Sequence, residues 1–139
     1  MSYLLDTNVL SETIRRRPNK SVISWLDQIP GEALFVSVLT LGEVRKGIEL
    51  LNDKKRQEKL RVWLEHDLPG WFSGRVLAVD LAVSDRWGRL LAEVHRPVPT
   101  IDSLIAATAL RYELRLVTRN AADFNYPKLE VVNPWLITP

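Results

Sequence analysis

Short apolar runs alternate along this chain with segments whose apolar residues recur at helical spacing, and this alternation most restricts the possible folds. The runs that predict strands are residues 3–5, 34–36, 76–79, 115–117 and 130–132. Strands separated by helices favour parallel pairing, because a parallel neighbour is reached only through a long crossover connection. We therefore predict an α/β fold in three layers, with a mostly parallel five-stranded sheet between helices.

Helix ends are marked by residues that commonly cap or stop helices. Asp53 is expected to cap a helix that continues to about Leu68 and ends at Pro69-Gly70. Thr100 is expected to cap a later helix, because a hydroxyl at this position accepts a hydrogen bond from a free backbone N–H of the first turn.

Length and composition agree with one ordinary globular domain over residues 1–139, since 46% of the residues are hydrophobic and 26% are charged. Cysteine is absent, which excludes disulfides, cysteine nucleophiles and cysteine-based zinc sites. The N-terminal residues do not resemble a secretory signal, and no stretch approaches the roughly 20 apolar residues of a membrane span. We expect a cytoplasmic protein without membrane contact.

Basic residues are clustered although the net charge is only +2. The two clusters are Arg15, Arg16 and Arg17 with Lys20, and Lys54, Lys55 and Arg56 with Lys59 and Arg61. Such clusters attract nucleic-acid phosphates. The charges alone favour a plainer interpretation, in which one cluster is a solvated loop and the other the outer face of a helix.

Polar residues follow four of the predicted strands. In parallel sheets ligands bind beyond the carboxyl ends of the strands, so Asp6, Ser37, Asp80 and Thr118 are the first candidates for a site. Asp80 directly precedes a predicted helix and is sufficiently explained as its N-cap, so we leave it out. Position in the sequence alone does not separate Asp6 from Asp80.

Acidic residues from separate segments are candidates for one metal-binding cleft. Asp6 ends the first strand, Glu43 lies early in the helix after the second, and Asp102 lies in the first turn of the helix expected after Thr100. Asn120 and Asp123 follow the fourth strand. Carboxylates gathered in one cleft repel each other, and Mg²⁺, which prefers oxygen ligands, relieves that repulsion and assists phosphodiester hydrolysis. Taken singly, each acid is better explained by a cap, a turn, a surface charge or the helix dipole than by a metal site.

The motifs around these acids resemble those of PIN-domain proteins, in order and over essentially the whole chain. The matching segments are Leu4 to Glu12 (LLDTNVLSE), Thr40 to Gly47 (TLGEVRKG), Asp102 to Ala109 (DSLIAATA) and Val117 to Phe124 (VTRNAADF). Asn133-Pro134-Trp135 is similar to an ending found in the FitB-like branch. Four motifs in register are far more specific than any one of them.

The resemblance implies a VapC-type toxin of a bacterial type II toxin–antitoxin pair. Such proteins are Mg²⁺- or Mn²⁺-dependent endoribonucleases that cleave RNA and inhibit translation. They form homodimers, and a small DNA-binding antitoxin of the VapB type inhibits them by inserting its tail into the active-site groove. Promoter DNA would then be contacted only through the antitoxin.

Residue by residue, the resemblance implies Asp6 and Asp102 as metal ligands, with Glu43 completing the acidic pocket directly or through water. The residues expected to orient ligands or substrate are Thr7, Asn8 and Thr118.

The fourth motif departs from the family, because many relatives carry Asp where this chain has Asn120. An amide oxygen ligates Mg²⁺ without bringing negative charge. We assign Asp123 as the fourth carboxylate and Asn120 as a neutral ligand or positioning group.

Other functions remain open at this stage. A non-catalytic RNA- or partner-binding PIN module would keep the fold without the metal, and Asn120 is compatible with it. A DNA nuclease of related fold usually carries additional elements, for which 139 residues leave little room. A phosphatase with a nucleophilic strand-end Asp needs an acid two residues later, where this chain has Asn8.

Overall fold

The computed structural model describes residues 1–138 of the chain. Within them the strands, numbered β1 to β5 in chain order, are Tyr3–Leu5, Leu34–Ser37, Val76–Leu77, Arg115–Val117 and Val131–Val132. The α-helices, numbered α1 to α7, are Thr7–Glu12, Lys20–Asp27, Val38–Glu49, Lys54–Val62, Leu68–Trp71, Leu81–Val94 and Thr100–Arg111. A π-helical segment and three 3-10 turns occupy Trp63–Asp67, Gly31–Ala33, Ala121–Phe124 and Pro134–Leu136.

All strands of the sheet pair in parallel, in the order β3-β2-β1-β4-β5. The central strand β1 places Tyr3 opposite Leu34 of β2, and Leu5 opposite Val117 of β4. The chain adds β2 and β3 on one side of β1 and then β4 and β5 on the other, which makes the β1/β4 boundary a topological switch point. A crevice therefore opens there at the carboxyl edge of the sheet. The predicted α/β fold is confirmed.

Alternate residues of the central strands point into two separate apolar layers, as the two-residue period of a strand requires. Leu5 and Val117 belong to the core cluster that contains residues of α1, α2, α3, α4 and the π-helical segment. Leu4 and Leu116 belong to the cluster on the other side, which contains residues of α6 and α7. All four side chains are buried. Helices thus cover both faces, and the carboxyl edge is left for polar residues.

Several predicted boundaries differ from the structure. β2 extends to Ser37, and β5 begins at Val131 rather than at residue 130. β3 ends at Leu77 rather than at residue 79. Thr100 is the first residue of α7 and not its cap; Pro99 is the N-cap and makes no side-chain capping bond. The proline ring holds its own backbone torsion near a fixed value, which sets the entry into the helix without a hydroxyl.

Pro69-Gly70 does not end the helical region that begins after Asp53. The Asp53 side chain accepts the backbone N–H of Arg56 at 3.1 Å, as predicted for a cap. The helical turns then change to π geometry at Trp63–Asp67 and restart, so that Pro69 occupies the first turn of α5. A proline is tolerated there because its missing N–H has no intrahelical partner to lose.

Candidate active site

Asp6 is a nearly buried carboxylate, 8% exposed, at the junction of β1 and α1. Its Oδ1 accepts the backbone N–H of Thr7, the first residue of α1, at 2.9 Å. Its Oδ2 accepts the hydroxyl of Thr118 at 2.8 Å. The β1/β4 register brings Thr118 to this place, since the N–H of Asp6 donates to the Val117 carbonyl at 2.9 Å.

Burial raises the pKa of Asp6 above its ordinary value, and the charge of Glu43 raises it further. The hydrogen bonds from Thr118 and Thr7 act in the opposite direction, because they stabilise the ionised form. The local structure therefore removes a carboxylate from water, and its donors offset only part of the resulting increase in pKa.

Glu43 reaches the same edge from α3. The Thr7 hydroxyl donates to its Oε1 at 2.6 Å, across the contact between α1 and α3. Glu43 is exposed, so the bond orients a carboxylate that otherwise faces solvent. This contact joins the first and second acidic motifs through one threonine.

Asp102, in the first turn of α7, shows that the acids gather in one place. Burial raises its pKa, and the charges of Asp6, Glu43 and Asp123 add to this increase in that order. Like charges act this way only over short distances in a protein. The structure thus brings together carboxylates from four separate segments of the chain.

None of these four carboxylates forms an ion pair with a Lys, Arg or His among residues 1–138. No positive side chain contributes to the raised pKa of Asp6 or of Asp102. Across the same residues no three acids or imidazoles are close enough to enclose a metal ion by themselves. Within the described residues the cluster is therefore open and negatively charged, and no Lys, Arg or His forms an ion pair with it.

Thr118 and Asn8 fix the backbone beside Asp6. The Thr118 hydroxyl accepts the Asn8 side-chain amide at 3.3 Å and the backbone N–H of Asn120 at 3.1 Å. The Asn8 carbonyl oxygen accepts the backbone N–H of Arg119 at 3.2 Å. Thr7, Asn8 and Thr118 thus all lie at the acidic edge, where the sequence placed them.

Asp123 interacts with the acidic cluster, whereas among the described residues the side chain of Asn120 makes no hydrogen bond that ties it to these acids. Asp123 lies in the 3-10 turn after β4, where its N–H donates to the Asn120 carbonyl at 2.9 Å, and its charge reaches Asp102. The Asn120 side chain is exposed and makes no hydrogen bond to the described part of the chain. Which of the two completes the site stays a prediction.

Tyr126 is a neighbour of the cluster that sequence reasoning missed. It is 5% exposed, and burial followed by the charge of Asp102 raises the pKa of its phenol. Its hydroxyl is buried and has no hydrogen-bond partner within residues 1–138. Nothing in the local sequence distinguishes it from an ordinary core tyrosine three residues after Asp123.

Asp80 lies away from the cluster, as its exclusion predicted. Its side chain caps α6 by accepting the backbone N–H of Val83 at 2.9 Å, and it accepts the Tyr112 hydroxyl at 3.0 Å. Tyr112 caps the C-terminus of α7 whereas Asp102 lies in its first turn, and the ten-residue offset separates their backbones by about 15 Å. Both hydrogen bonds lower the pKa of Asp80, so its charge is stabilised without any metal.

The two basic clusters converge on one groove. Arg15, Arg56 and Lys59 line a cavity of about 660 Å³ whose apolar lining includes Trp63 and Trp71. The guanidinium of Arg56 joins the two segments by donating to the Ile14 carbonyl at 2.7 Å. No acid of the cluster lines this groove, so the positive surface is separate from the negative cleft. Among the described helices, none is long and apolar enough to cross a membrane.

Comparison with known sequences gives matches over nearly the whole chain. The PIN domain family model matches residues 3–127. The plasmid stability protein StbB of Pseudomonas syringae pv. tomato is 42% identical over 135 residues, covering 95% of this chain and 97% of that protein. Toxin FitB of Neisseria gonorrhoeae is 36% identical over 135 residues, with coverages of 95% and 97%. A VapC ribonuclease of Sinorhizobium fredii is 33% identical over 135 residues, with coverages of 95% and 96%.

Solved structures share this architecture. The crystal structure of FitAcB from Neisseria gonorrhoeae superposes with a TM-score of 0.91 at 34% identity, covering 97% of this chain and 99% of that one. The structure of FitAB bound to a DNA fragment superposes with a TM-score of 0.88 at 32% identity, covering 99% of this chain and 98% of that one. A toxin–antitoxin complex from Klebsiella pneumoniae gives 0.70 at 26% identity, with coverages of 98% and 100%. The match therefore includes the strands and turns that carry the acidic cluster.

Proposed function

Since this chain belongs to the PIN domain family, we propose that it is a metal-dependent endoribonuclease and the toxin of a toxin–antitoxin pair. The observation that carries the proposal is the cluster of Asp6, Glu43, Asp102 and Asp123, in which like charges meet without any positive side chain to neutralise them. Such an arrangement costs folding energy, which is understandable if a cation compensates for it in the working protein.

The donor set suits Mg²⁺ or Mn²⁺. It consists of oxygen atoms only, and each Asp6 carboxylate oxygen accepts one hydrogen bond from the protein and keeps a lone pair for a ligand. Mg²⁺ keeps several waters and commonly takes only one or two carboxylates from the protein, so a cluster that does not enclose an ion by itself is suitable. We assign Asp6 and Asp102 as direct ligands, with Glu43, Asp123 and Asn120 acting directly or through water.

The protein's own contribution is to position charge. Thr118 and Thr7 hold the Asp6 carboxylate in one orientation, and Thr7 also orients Glu43. Asn8 fixes the loop after β4, which keeps Thr118 in place. When bound, a divalent cation supplies Lewis acidity, which activates water and offsets the charge that develops on a phosphodiester. Rigid placement of the ligands lets this chemistry proceed without reorganisation of the site.

The proposed RNA substrate and partners rest on the relatives. One is called a VapC ribonuclease and another Toxin FitB, and a solved neighbour is a toxin–antitoxin complex. We propose that this chain cleaves RNA, inhibits translation in that way, forms a homodimer and is inhibited by a small antitoxin of the VapB type. Contact with promoter DNA would be made through the antitoxin, in line with the FitAB complex bound to a DNA fragment.

The proposal is tested by incubating the purified protein with structured RNA in Mg²⁺ and, separately, in EDTA. Cleavage is expected only with the metal. Asp6→Asn and Asp102→Asn should each reduce cleavage by more than about 100-fold, since even outer partners of metal sites contribute 10- to 100-fold. Asp80→Asn is the matched control, because Asn caps a helix as well as Asp does and position 80 lies outside the cluster.

Three outcomes contradict the proposal. Cleavage that survives in EDTA excludes a metal-dependent mechanism. Cleavage that survives in folded Asp6→Asn and Asp102→Asn places the active site elsewhere. Metal-independent RNA binding without any cleavage favours the non-catalytic binding module instead.

A further inference from the structure

Arg119 is held at the carboxyl edge of the sheet by two side-chain amides. The carbonyl oxygen of Asn8 accepts its backbone N–H at 3.2 Å, and the amide nitrogen of Asn133 donates to its backbone carbonyl at 3.2 Å. Both polar groups of the Arg119 backbone are thus paired by side chains from other parts of the chain. A loop position with this much support has a defined place relative to its neighbours.

The Arg119 side chain is stacked on Trp135, with the guanidinium carbon 5.3 Å from the centre of the indole ring. Asn133 fixes this pair from the other side as well, since its side-chain oxygen accepts the backbone N–H of Trp135 at 3.0 Å. One asparagine therefore determines the position of both members of the stack. The Asn133-Pro134-Trp135 motif, for which the sequence predicted no role, thus holds the side chain of Arg119 in place.

The guanidinium of Arg119 has no carboxylate partner within the described residues. Arg119 follows Thr118, whose hydroxyl donates to Asp6, yet it does not contribute to the raised pKa of Asp6 or of Asp102. The cation is exposed, and its backbone directly follows Thr118, so position 119 lies at the carboxyl edge of the sheet that carries Asp6. It is therefore a fixed, unneutralised positive charge on the rim of the cleft.

We propose that Arg119, held on Trp135, binds a backbone phosphate of the RNA strand next to the one that is cleaved. The acidic cleft repels a polyanion, so a strand that enters it gains from a cation at the rim. A guanidinium matches a phosphate with two parallel hydrogen bonds, and its plane also accepts a stacked base. The inference rests on the proposed ribonuclease function and deepens it by assigning a substrate-binding residue outside the carboxylates.

A purely structural role for Arg119 makes a different prediction. The guanidinium would then only cover the indole ring, and its removal would slightly reduce folding stability without changing RNA binding. Arg111 provides the matched control: it is exposed, its guanidinium lies 5.1 Å from the Tyr112 ring, and it ends α7 far from Asp102. The two arginines share charge, exposure and stacking. Arg111 differs in its distance from the cleft and in lying near the Asp80 carboxylate, whose pKa is lowered mainly by hydrogen bonds and further by the charge of Arg111.

The test measures the binding of a fluorescently labelled single-stranded RNA oligonucleotide in EDTA at several NaCl concentrations, so that cleavage does not interfere. Arg119→Gln should weaken binding roughly tenfold, the usual contribution of a charged hydrogen bond. The slope of log K against log salt should decrease by about 0.7, the value for one phosphate contact on a single strand. Arg119→Lys should keep the slope and lose part of the affinity, and Arg111→Gln should match the wild type.

RNA binding by Arg119→Gln that equals that of Arg111→Gln overturns the proposal, as does an unchanged salt slope. If Arg119→Gln weakens binding of a poly-glutamate peptide as much as that of RNA, the residue is a general anion or protein contact and the proposal is wrong. A wild type that binds RNA but never cleaves it overturns the ribonuclease function alone, since the binding comparison still decides the role of Arg119. A wild type that binds no RNA overturns both.

Discussion

Replacement of Asp102 by Asn should stabilise the metal-free protein, although it removes a residue proposed to be essential. Asp102 is partly buried beside three other carboxylates, and its raised pKa means that the fold disfavours its charge. Exposed charge pairs interact by about 0.5 kcal/mol each, and the helix N-terminus favours an acid by about the same amount. Three repulsions against one attraction leave a net gain of about 1 kcal/mol for Asp102→Asn.

The measurement is urea unfolding in EDTA at low salt and neutral pH. A gain of about 1 kcal/mol moves the midpoint upward by roughly 0.5 M at the m-values usual for small proteins. The difference should shrink in 1 M NaCl, where charges are screened beyond about 3 Å. Mg²⁺ should make the wild type more stable than Asp102→Asn, because a ligand that binds only the native state stabilises most the protein that binds it more tightly.

The pH dependence has a definite sign. The folded pKa of Asp102 lies above its unfolded value, so the folded state binds more protons between the two, and wild-type stability decreases as pH rises through that interval. The gain in unfolding free energy of Asp102→Asn over wild type should therefore be complete above the folded pKa of Asp102. It should disappear as the pH falls to about 3.9, the ordinary pKa of an aspartate. Asp80→Asn should have the opposite effect at neutral pH, because the charge of Asp80 is stabilised. An Asp102→Asn variant that is no more stable than wild type in EDTA would refute the repulsive cluster.

Three further experiments, each on one or two positions, test individual contacts. Thr118→Val removes the hydroxyl that donates to Asp6 at 2.8 Å, and RNA cleavage should fall by about 10- to 100-fold while Thr118→Ser retains most of it; single-turnover rates provide the comparison. Asp123→Asn should weaken Mn²⁺ binding measured by calorimetry, whereas Asn120→Ala should change it less; equal effects would contradict Asp123 as the fourth carboxylate. Tyr126→Phe removes a buried hydroxyl that has no partner in the described residues, so urea unfolding should show unchanged or slightly increased stability; a loss above about 1 kcal/mol would reveal a partner.

The sequence by itself determined the order of the strands and helices, because that order depends on local rules, whereas the candidate acids were named through the resemblance of their motifs to those of PIN-domain proteins. The apolar runs of β1 and β4 are a property of a few adjacent residues, and the Asp53 cap depends on its own first turn. Predictions from local rules were wrong where the geometry of a neighbouring segment changed the position of a residue in its helix. Pro69 did not stop the helical region, because the preceding π-helical turns moved it into a first turn.

The composition of the site was decided by tertiary structure. Asp6 and Asp80 have the same local setting in the sequence, yet one lies in the acidic cluster and the other beside the far end of α7. The register of β1 against β4 brings Thr118 to Asp6, and Asn133 brings Arg119 and Trp135 to the rim of the same cleft. Distances between remote segments follow from how the strands pair and how the helices pack, and no local pattern encodes them.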